Sequence, residues 1–252
     1  MIDLSGKTVL ITGASRGIGA MTARTLGRVG AEVILHYHEG RDEVGSVADI
    51  IGRDRTFILQ ANLAEPLAPA QLWEKALGWK GKIDVVVNNA AVMPVAALHD
   101  SLDDWHEAWQ LTLQVNLVAV ADLCRHAISH FKSRDGGIII NVASRAGFRG
   151  DGPTYMPYAA SKGGILALTR TIARGFAQDG ILAFAVAPGF VQTDRTEALM
   201  QEKGADYVTR DIPMGTPAPT QDIANVIAFL ASGLAPHATG TTIDVNGASY
   251  VR

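Results

Sequence analysis

Tyr158 and Lys162 stand four residues apart in the run Tyr158-Ala159-Ala160-Ser161-Lys162, immediately after Pro157. Proline suits the first turn of a helix, and i, i+4 spacing puts both side chains on one helix face, one turn apart. A phenol titrates near pH ~10, too high for proton transfer at neutral pH. An ammonium about 4–5 Å away, at an effective dielectric of about 20, supplies roughly 3–4 kcal/mol, or about 2–3 pKa units. That shift would bring the tyrosine into the range useful for acid–base work. Ser144 follows the apolar run 137–143, and its hydroxyl could hold a substrate oxygen where charge develops. Taken alone, the pair also reads as a part-exposed tyrosine beside a surface lysine; Ser144 beside it favours the chemical reading.

A second constellation could hold a phosphate-bearing ligand. Thr12-Gly13-Ala14-Ser15-Arg16-Gly17-Ile18-Gly19 begins as the first apolar run ends and a helical pattern starts. Glycines there allow a tight turn and close backbone approach, and the free N–H groups of the helix start favour a pyrophosphate. The spacing is G-x-x-x-G-x-G, not the better-known G-x-G-x-x-G, and a turn without a ligand stays open on this motif alone. Asn88-Asn89-Ala90-Ala91 closes the fourth apolar run and could tie neighbouring backbone groups and a ribose in register. Ser5-Gly6-Lys7-Thr8 ends like a triphosphate-binding loop, but it precedes its strand and has Met1 at the first glycine position, which excludes it.

The elements that must position these groups alternate along the chain. Segments 7–12, 32–37, 56–61, 83–88, 137–143, 181–187 and 242–245 are short and nearly continuously apolar, as in strands buried on both faces. Helical periodicity occupies 18–29, 41–52, 72–77, 102–132, 157–178 and 220–230. Such alternation predicts an α/β fold, one doubly wound parallel sheet of about seven strands in a single domain. Residues 190–219 lack strand pattern and end in Pro213-Met214-Gly215-Thr216-Pro217-Ala218-Pro219, which predicts an irregular substrate lid.

The 252 residues are 48% hydrophobic and 19% charged, enough for a continuous core. Twenty-two Lys+Arg against 25 Asp+Glu leave a net charge of −3, without the basic excess of a nucleic-acid partner. One cysteine, Cys124, excludes an internal disulfide framework and reads as buried and inert. No basic segment followed by an apolar stretch opens the sequence, and the run 181–191 is too short for a bilayer, so a cytoplasmic protein off the membrane is expected. Asp122, His126 and His130 recur every four residues, but ligands on one straight helix face diverge, so no metal is expected. His36 and His38 flank Tyr37 and read as part of a turn, and Trp105 and Trp109 as packing residues.

Thr12-Gly13-x-x-x-Gly17-Ile18-Gly19, Asn88-Asn89-Ala90, Asn116, Ser144, Tyr158-x-x-x-Lys162 and Pro188-Gly189-x-Val191-x-Thr193 together resemble the short-chain dehydrogenase/reductase family over essentially the whole chain. The resemblance is strongest to the branch of 3-oxoacyl-[acyl-carrier-protein] reductases and related carbonyl reductases. It implies a Rossmann-type sheet, hydride transfer without metal, and a homotetramer with helices 102–132 and 157–178 between subunits. By the same resemblance Tyr158 exchanges the proton with the substrate oxygen, and Lys162 lowers its pKa and binds the nicotinamide ribose. Ser144 polarises the carbonyl, and Asn116 holds a water leading from Lys162. Cofactor contacts are implied at Gly13, Ser15, Arg16, Gly17, Ile18 and Gly19, at Tyr37, Asn62, Leu63, Asn89 and Ala90, and at Pro188, Gly189, Val191 and Thr193.

Relatives that prefer NAD end the second strand on an acid, whereas this chain has Leu35-His36-Tyr37-His38, with Arg16 and Arg41 near by. Guanidinium pairs bidentately with a 2′-phosphate, so NADP(H) is favoured over NAD(H). Asn62 replaces a more usual aspartate, Ala91 a glycine, and Asp244-Val245-Asn246-Gly247-Ala248 a Val-Asp-Gly-Gly ending. Arg134 suits an acidic carrier protein, but Asp179 occupies the place of a second basic residue. The expected activity is NADP(H)-dependent interconversion of a carbonyl and a secondary alcohol, 3-oxoacyl reductase-like. The alternatives are an NAD-dependent polyol, sugar or cyclic alcohol dehydrogenase, and a non-catalytic cofactor-binding regulatory protein.

Overall fold

The seven apolar runs form strands β1 (Thr8–Ile11), β2 (Glu32–Tyr37), β3 (Thr56–Gln60), β4 (Val85–Asn88), β5 (Gly137–Val142), β6 (Ile181–Pro188) and β7 (Thr242–Val245) in a computed structural model that describes residues 2–252. They pair in parallel as one sheet of order β3-β2-β1-β4-β5-β6-β7. Both faces are apolar because each strand alternates between two cores. Val9 and Ile11 of β1, Val33 and Leu35 of β2 and Val85 and Val87 of β4 enter one; Leu10, Ile34 and Val86 enter the other.

The crossovers supply the covering helices: α1 (Gly17–Arg28), α2 (Arg41–Ile51), α3 (Ala68–Lys80), α4 (Leu102–Leu113), α5 (Ala119–Lys132), α6 (Ala146–Arg149), α7 (Met156–Phe176), α8 (Asp194–Lys203), α9 (Ala205–Thr209) and α10 (Thr220–Ala231). The first core is closed by α1, α2 and α10, through Leu26, Val47 and Ile227. The second is closed by α3, α5 and α7, through Trp73, Leu123 and Ile172. The order reverses between β1 and β4, so their carboxyl ends diverge into a crevice at that switch point.

Two expectations change here. The single helix expected at 102–132 is α4 and α5 joined by a π turn at Gln114–Val118. Its apolar repeat is continuous, and nothing in a period of 3.6 marks where one residue is inserted. Ser101 caps α4, its hydroxyl oxygen accepting from the Asp104 N–H at 3.1 Å. Residues 190–219 are not irregular throughout, because α8 and α9 lie within them. In α8 only Thr196 is buried, so the helix has no apolar stripe by which to announce itself. The neck of this excursion is pinned where Gln192 N–H donates to Ala218 O and Ala218 N–H donates to Phe190 O, each at 2.9 Å.

Candidate active site

The carboxyl ends of β1, β4, β5 and β6 deliver the glycine-rich turn, Asn89, Ser144 and Pro188-Gly189 to one cleft of about 470 Å³. Of the residues expected at the site, Ser144, Tyr158, Lys162, Asn89 and Ile18 line this cleft, as do Pro188, Gly189, Val191 and Thr193. The segment carrying α8 and α9 adds Arg195, Leu199 and Tyr207 to its wall.

The glycine-rich turn is held by side chains from three strands. Thr12 Oγ1 accepts from the backbone N–H groups of Asn89 (2.9 Å) and Ala90 (3.0 Å). Asn89 Nδ2 returns hydrogen bonds to the carbonyls of Thr12 (2.9 Å) and Gly13 (3.0 Å). Gly13 has φ +68°, and a Cβ there would come within 3.0 Å of Ala90 Cα. A Cβ at Gly19 would run into the Gly13 carbonyl oxygen. These bare positions leave a backbone cradle opening on the start of α1, which fits a dinucleotide pyrophosphate.

His36 completes this latch, a role its sequence position beside Tyr37 did not suggest. The Gly13 N–H donates to His36 Nδ1 at 3.1 Å, so Nε2 carries the proton and donates to Ala61 O, also at 3.1 Å. Burial pushes its pKa from 6.5 down to about 4. The unfolded chain therefore binds the proton first, and stability present above pH ~6.5 is lost as pH falls toward ~4, on the order of 3 kcal/mol in all. Urea melts at pH 7 and 4.5 should show a smaller acid-side loss for His36→Gln than for wild type; equal losses would assign the acid sensitivity elsewhere.

Tyr158 and Lys162 lie on α7 as their spacing predicts, but their electrostatics differ from expectation. Lys162 Nζ sits 5.6 Å from the Tyr158 ring centroid and donates to Val142 O at 2.7 Å. It is 3% exposed, and burial lowers its pKa to about 8. The Tyr158 side chain is part-exposed to the cleft, yet burial raises its pKa, and a hydrogen bond with the Ser144 hydroxyl pulls the other way. The expected depression by Lys162 is thus corrected: spacing along a helix fixes the shared face but not desolvation, nor a carbonyl at the β5 edge that captures the ammonium. The phenol is held as the protonated, donating form. Ser144 is fixed in turn, its oxygen accepting from Ala146 N–H at 3.1 Å.

Asn116 lies at the junction of α4 and α5, beside α7. Buried in the π turn, it clamps Val92: Oδ1 accepts from Val92 N–H and Nδ2 donates to Val92 O, both at 2.8 Å. Nδ2 also reaches Ser161 Oγ at 3.2 Å. Its side chain therefore braces the loop after β4 against α7.

The remaining expected contacts spread along the crevice. Arg16 and Arg41 are exposed; Ser15 and Gly17 are part-exposed on the turn. The Tyr37 and Leu63 side chains belong to the cores, so what they offer a ligand is chiefly main chain. Asn62 Oδ1 accepts from Ala64 N–H at 3.1 Å, which fixes the turn after β3. His126 and His130 pack against Trp73, and His130 Nε2 accepts from Ile83 N–H at 3.2 Å, so both are occupied structurally. Cys124 is buried, and burial pushes its thiol up to about 12. Among the described residues no group of three or more His, Cys, Asp or Glu is placed to hold a metal ion, and no helix is long and apolar enough to cross a membrane.

A doubly wound parallel sheet with a bare-backbone cradle at its switch point and a Ser–Tyr–Lys group beside it defines a dinucleotide-dependent oxidoreductase. A family model described as enoyl-(acyl carrier protein) reductase matches residues 13–248. The 3-oxoacyl-[acyl-carrier-protein] reductase of Rickettsia felis is 37% identical over 248 residues, 98% of each chain. That of Escherichia coli K12 is 34% identical over 250 residues, 99% of this chain and 100% of the relative. The crystal structure of a candidate gluconate dehydrogenase from Agrobacterium tumefaciens superposes with a TM-score of 0.89 at 27% identity, covering 100% of this chain and 99% of the other. The chain belongs to the short-chain dehydrogenase/reductase family. It is an NAD(P)-dependent oxidoreductase acting on carbonyl and CH–OH groups.

Proposed function

We propose that the protein interconverts a 3-oxoacyl-type carbonyl and its secondary alcohol, with NADP(H) as the preferred cofactor. The convergence of Ser144, Tyr158 and Lys162 on one cleft carries this reading. The bound cofactor supplies or accepts the hydride. Tyr158 gives its phenolic proton to the carbonyl oxygen, or takes one from an alcohol, and Ser144 Oγ holds the same oxygen. Lys162 orients the cofactor ribose and, when charged, stabilises the phenolate left behind. Asn116 holds a water leading from Lys162, while its side chain braces the loop at Val92. Residues 190–219 form the lid of a single-domain enzyme, with Arg195 and Leu199 closing over the substrate. A panel of 3-oxoacyl esters, simple ketones and polyols assayed with NADPH and NADH tests the reading; turnover of polyols alone would replace it.

The cofactor preference rests on Arg16 and Arg41, both exposed near the adenosine end, and on the buried Tyr37 that ends β2 where an acid would repel a 2′-phosphate. Glu43 is the observation on the other side, its Oε2 lying 3.0 Å from the Cβ position of Gly40. Arg16→Gln should lower kcat/KM for NADPH by about ten- to hundredfold, the worth of one charge-assisted pair, and leave NADH nearly unchanged. A wild-type preference for NADH would reverse the assignment.

The same reading makes the enzyme a cytoplasmic homotetramer, with α4, α5 and α7 packing between subunits. Leu102, Leu111 and Val118 leave exposed apolar side chains along α4 and the π turn after it, and sedimentation tests the assembly. Delivery by an acidic carrier is less supported, because Lys132 is paired with Asp179 at 3.3 Å and Arg134 lies 4.0 Å from Asp84.

A further inference from the structure

Arg145 follows Ser144 directly, and its backbone N–H donates to Pro188 O at 3.0 Å, which fixes it between β5 and β6. Its side chain lines the same cleft and is 8% exposed. The guanidinium lies over the Phe190 ring, 4.8 Å from the centroid, and its Nη1 is buried with no hydrogen-bond partner among the described residues. Asp211 is paired with Arg149 at 3.3 Å, and both Asp211 and Asp151 act on the Arg145 charge only through space. A guanidinium carries five donors and stays charged in proteins. Leaving that one Nη1 donor buried without an acceptor is costly, so its persistence beside a reactive cleft points to an acceptor that arrives with a ligand.

We propose that Arg145 is a specificity-determining residue that binds a carboxylate on the substrate, so that the enzyme acts on free oxo acids and hydroxy acids in preference to their neutral esters. This inference rests on the oxidoreductase reading above and narrows its 3-oxoacyl-type carbonyls to those that carry a free carboxylate. Arg145 and Phe190 form a carboxylate subsite next to the Ser144 and Tyr158 hydroxyls, which receive the carbonyl oxygen. The aromatic face under the guanidinium keeps it planar and water-poor, which suits bidentate capture of a carboxylate.

The test compares 3-, 4- and 5-oxo acids with their methyl esters as substrates for wild type, Arg145→Met and Arg145→Lys. For at least one chain length, wild type should favour the acid by about tenfold or more in kcat/KM, Arg145→Met should lose that preference while still reducing the ester, and Arg145→Lys should keep part of it. Arg145→Met should also melt no lower than wild type, because a buried donor without a partner has gone. Equal use of acid and ester by wild type at every length, or an acid preference that survives Arg145→Met, overturns the proposal. Calorimetric titration of hexanoate into wild type saturated with NADP+ reads the subsite without turnover. Binding lost in Arg145→Met supports it even where no tested ketone is reduced, a result that would count against the proposed reaction alone. No binding by wild type counts against the subsite.

Discussion

Replacing Tyr158 by phenylalanine is expected to lower kcat by about 10²–10⁴-fold, the usual worth of one general acid–base group, with cofactor affinity close to wild type. The aromatic body of the side chain stays, and only the hydroxyl that meets Ser144 is removed. The pH dependence has a definite sign. Burial raises the Tyr158 pKa, so the proton-donating form persists through neutral pH and above. Carbonyl reduction should therefore hold across neutral pH and fall on the alkaline side, whereas alcohol oxidation, which needs the phenolate, should rise there. Stopped-flow rates in both directions, with Tyr158→Phe as the reference that lacks the tyrosine proton, measure this. Unimpaired turnover in the variant would end the assignment of the proton to this residue.

Substituting alanine for Gly19 should do the opposite of what alanine usually does in a helix. A Cβ would meet the Gly13 carbonyl oxygen and stand 2.6 Å from Asn89 Nδ2. The turn must open, which breaks the hydrogen bonds from Asn89 to Thr12 and Gly13. A loss of about 1–3 kcal/mol in stability is expected from the forced shift, with cofactor binding weakened tenfold or more as the backbone cradle distorts. Gly78 in α3 is the internal control, since nothing lies within 4 Å of its Cβ position. Gly78→Ala should be neutral or stabilising by about 0.5–1 kcal/mol. Cofactor titration and denaturant melts of the two variants separate a local effect on the turn from a general effect of alanine in a helix.

Most of the scaffold was legible because burial on both faces leaves a coarse signature. Strands such as β2 and β7 fall where apolar runs place them, and the helices flanking the sheet follow their 3.6-residue repeat. The catalytic spacing was legible for a similar reason, since Tyr158 and Lys162 are related by helix geometry alone. Elements that leave no mark of their own in the apolar repeat were missed. Polar α8 buries only Thr196, and the π turn at Asn116 adds one residue to a pattern that continues unbroken on either side.

His36 illustrates an intermediate case. Strand parity puts it on the face of Ile34, opposite Leu35 and Tyr37, so an inward position could have been read from the sequence. Its acceptor role could not, because Gly13 is 23 residues away and reaches it only through the pairing of β1 with β2. Asn62 and Leu63 differ in the same way: the turn after β3 was visible, but which side chain faces out depends on how α3 packs over it.

The amino-acid order by itself determined the alternation of strands and helices, the glycine-rich turn and the presence of a Tyr–Lys pair one turn apart, since each depends on neighbours within a few residues. Only the tertiary structure decided the charge states and partners at the site: a tyrosine raised by burial, a lysine turned to Val142, an asparagine committed to Val92 and an arginine left without an acceptor. Desolvation and hydrogen bonding depend on what the fold brings from distant segments, and no local spacing encodes them.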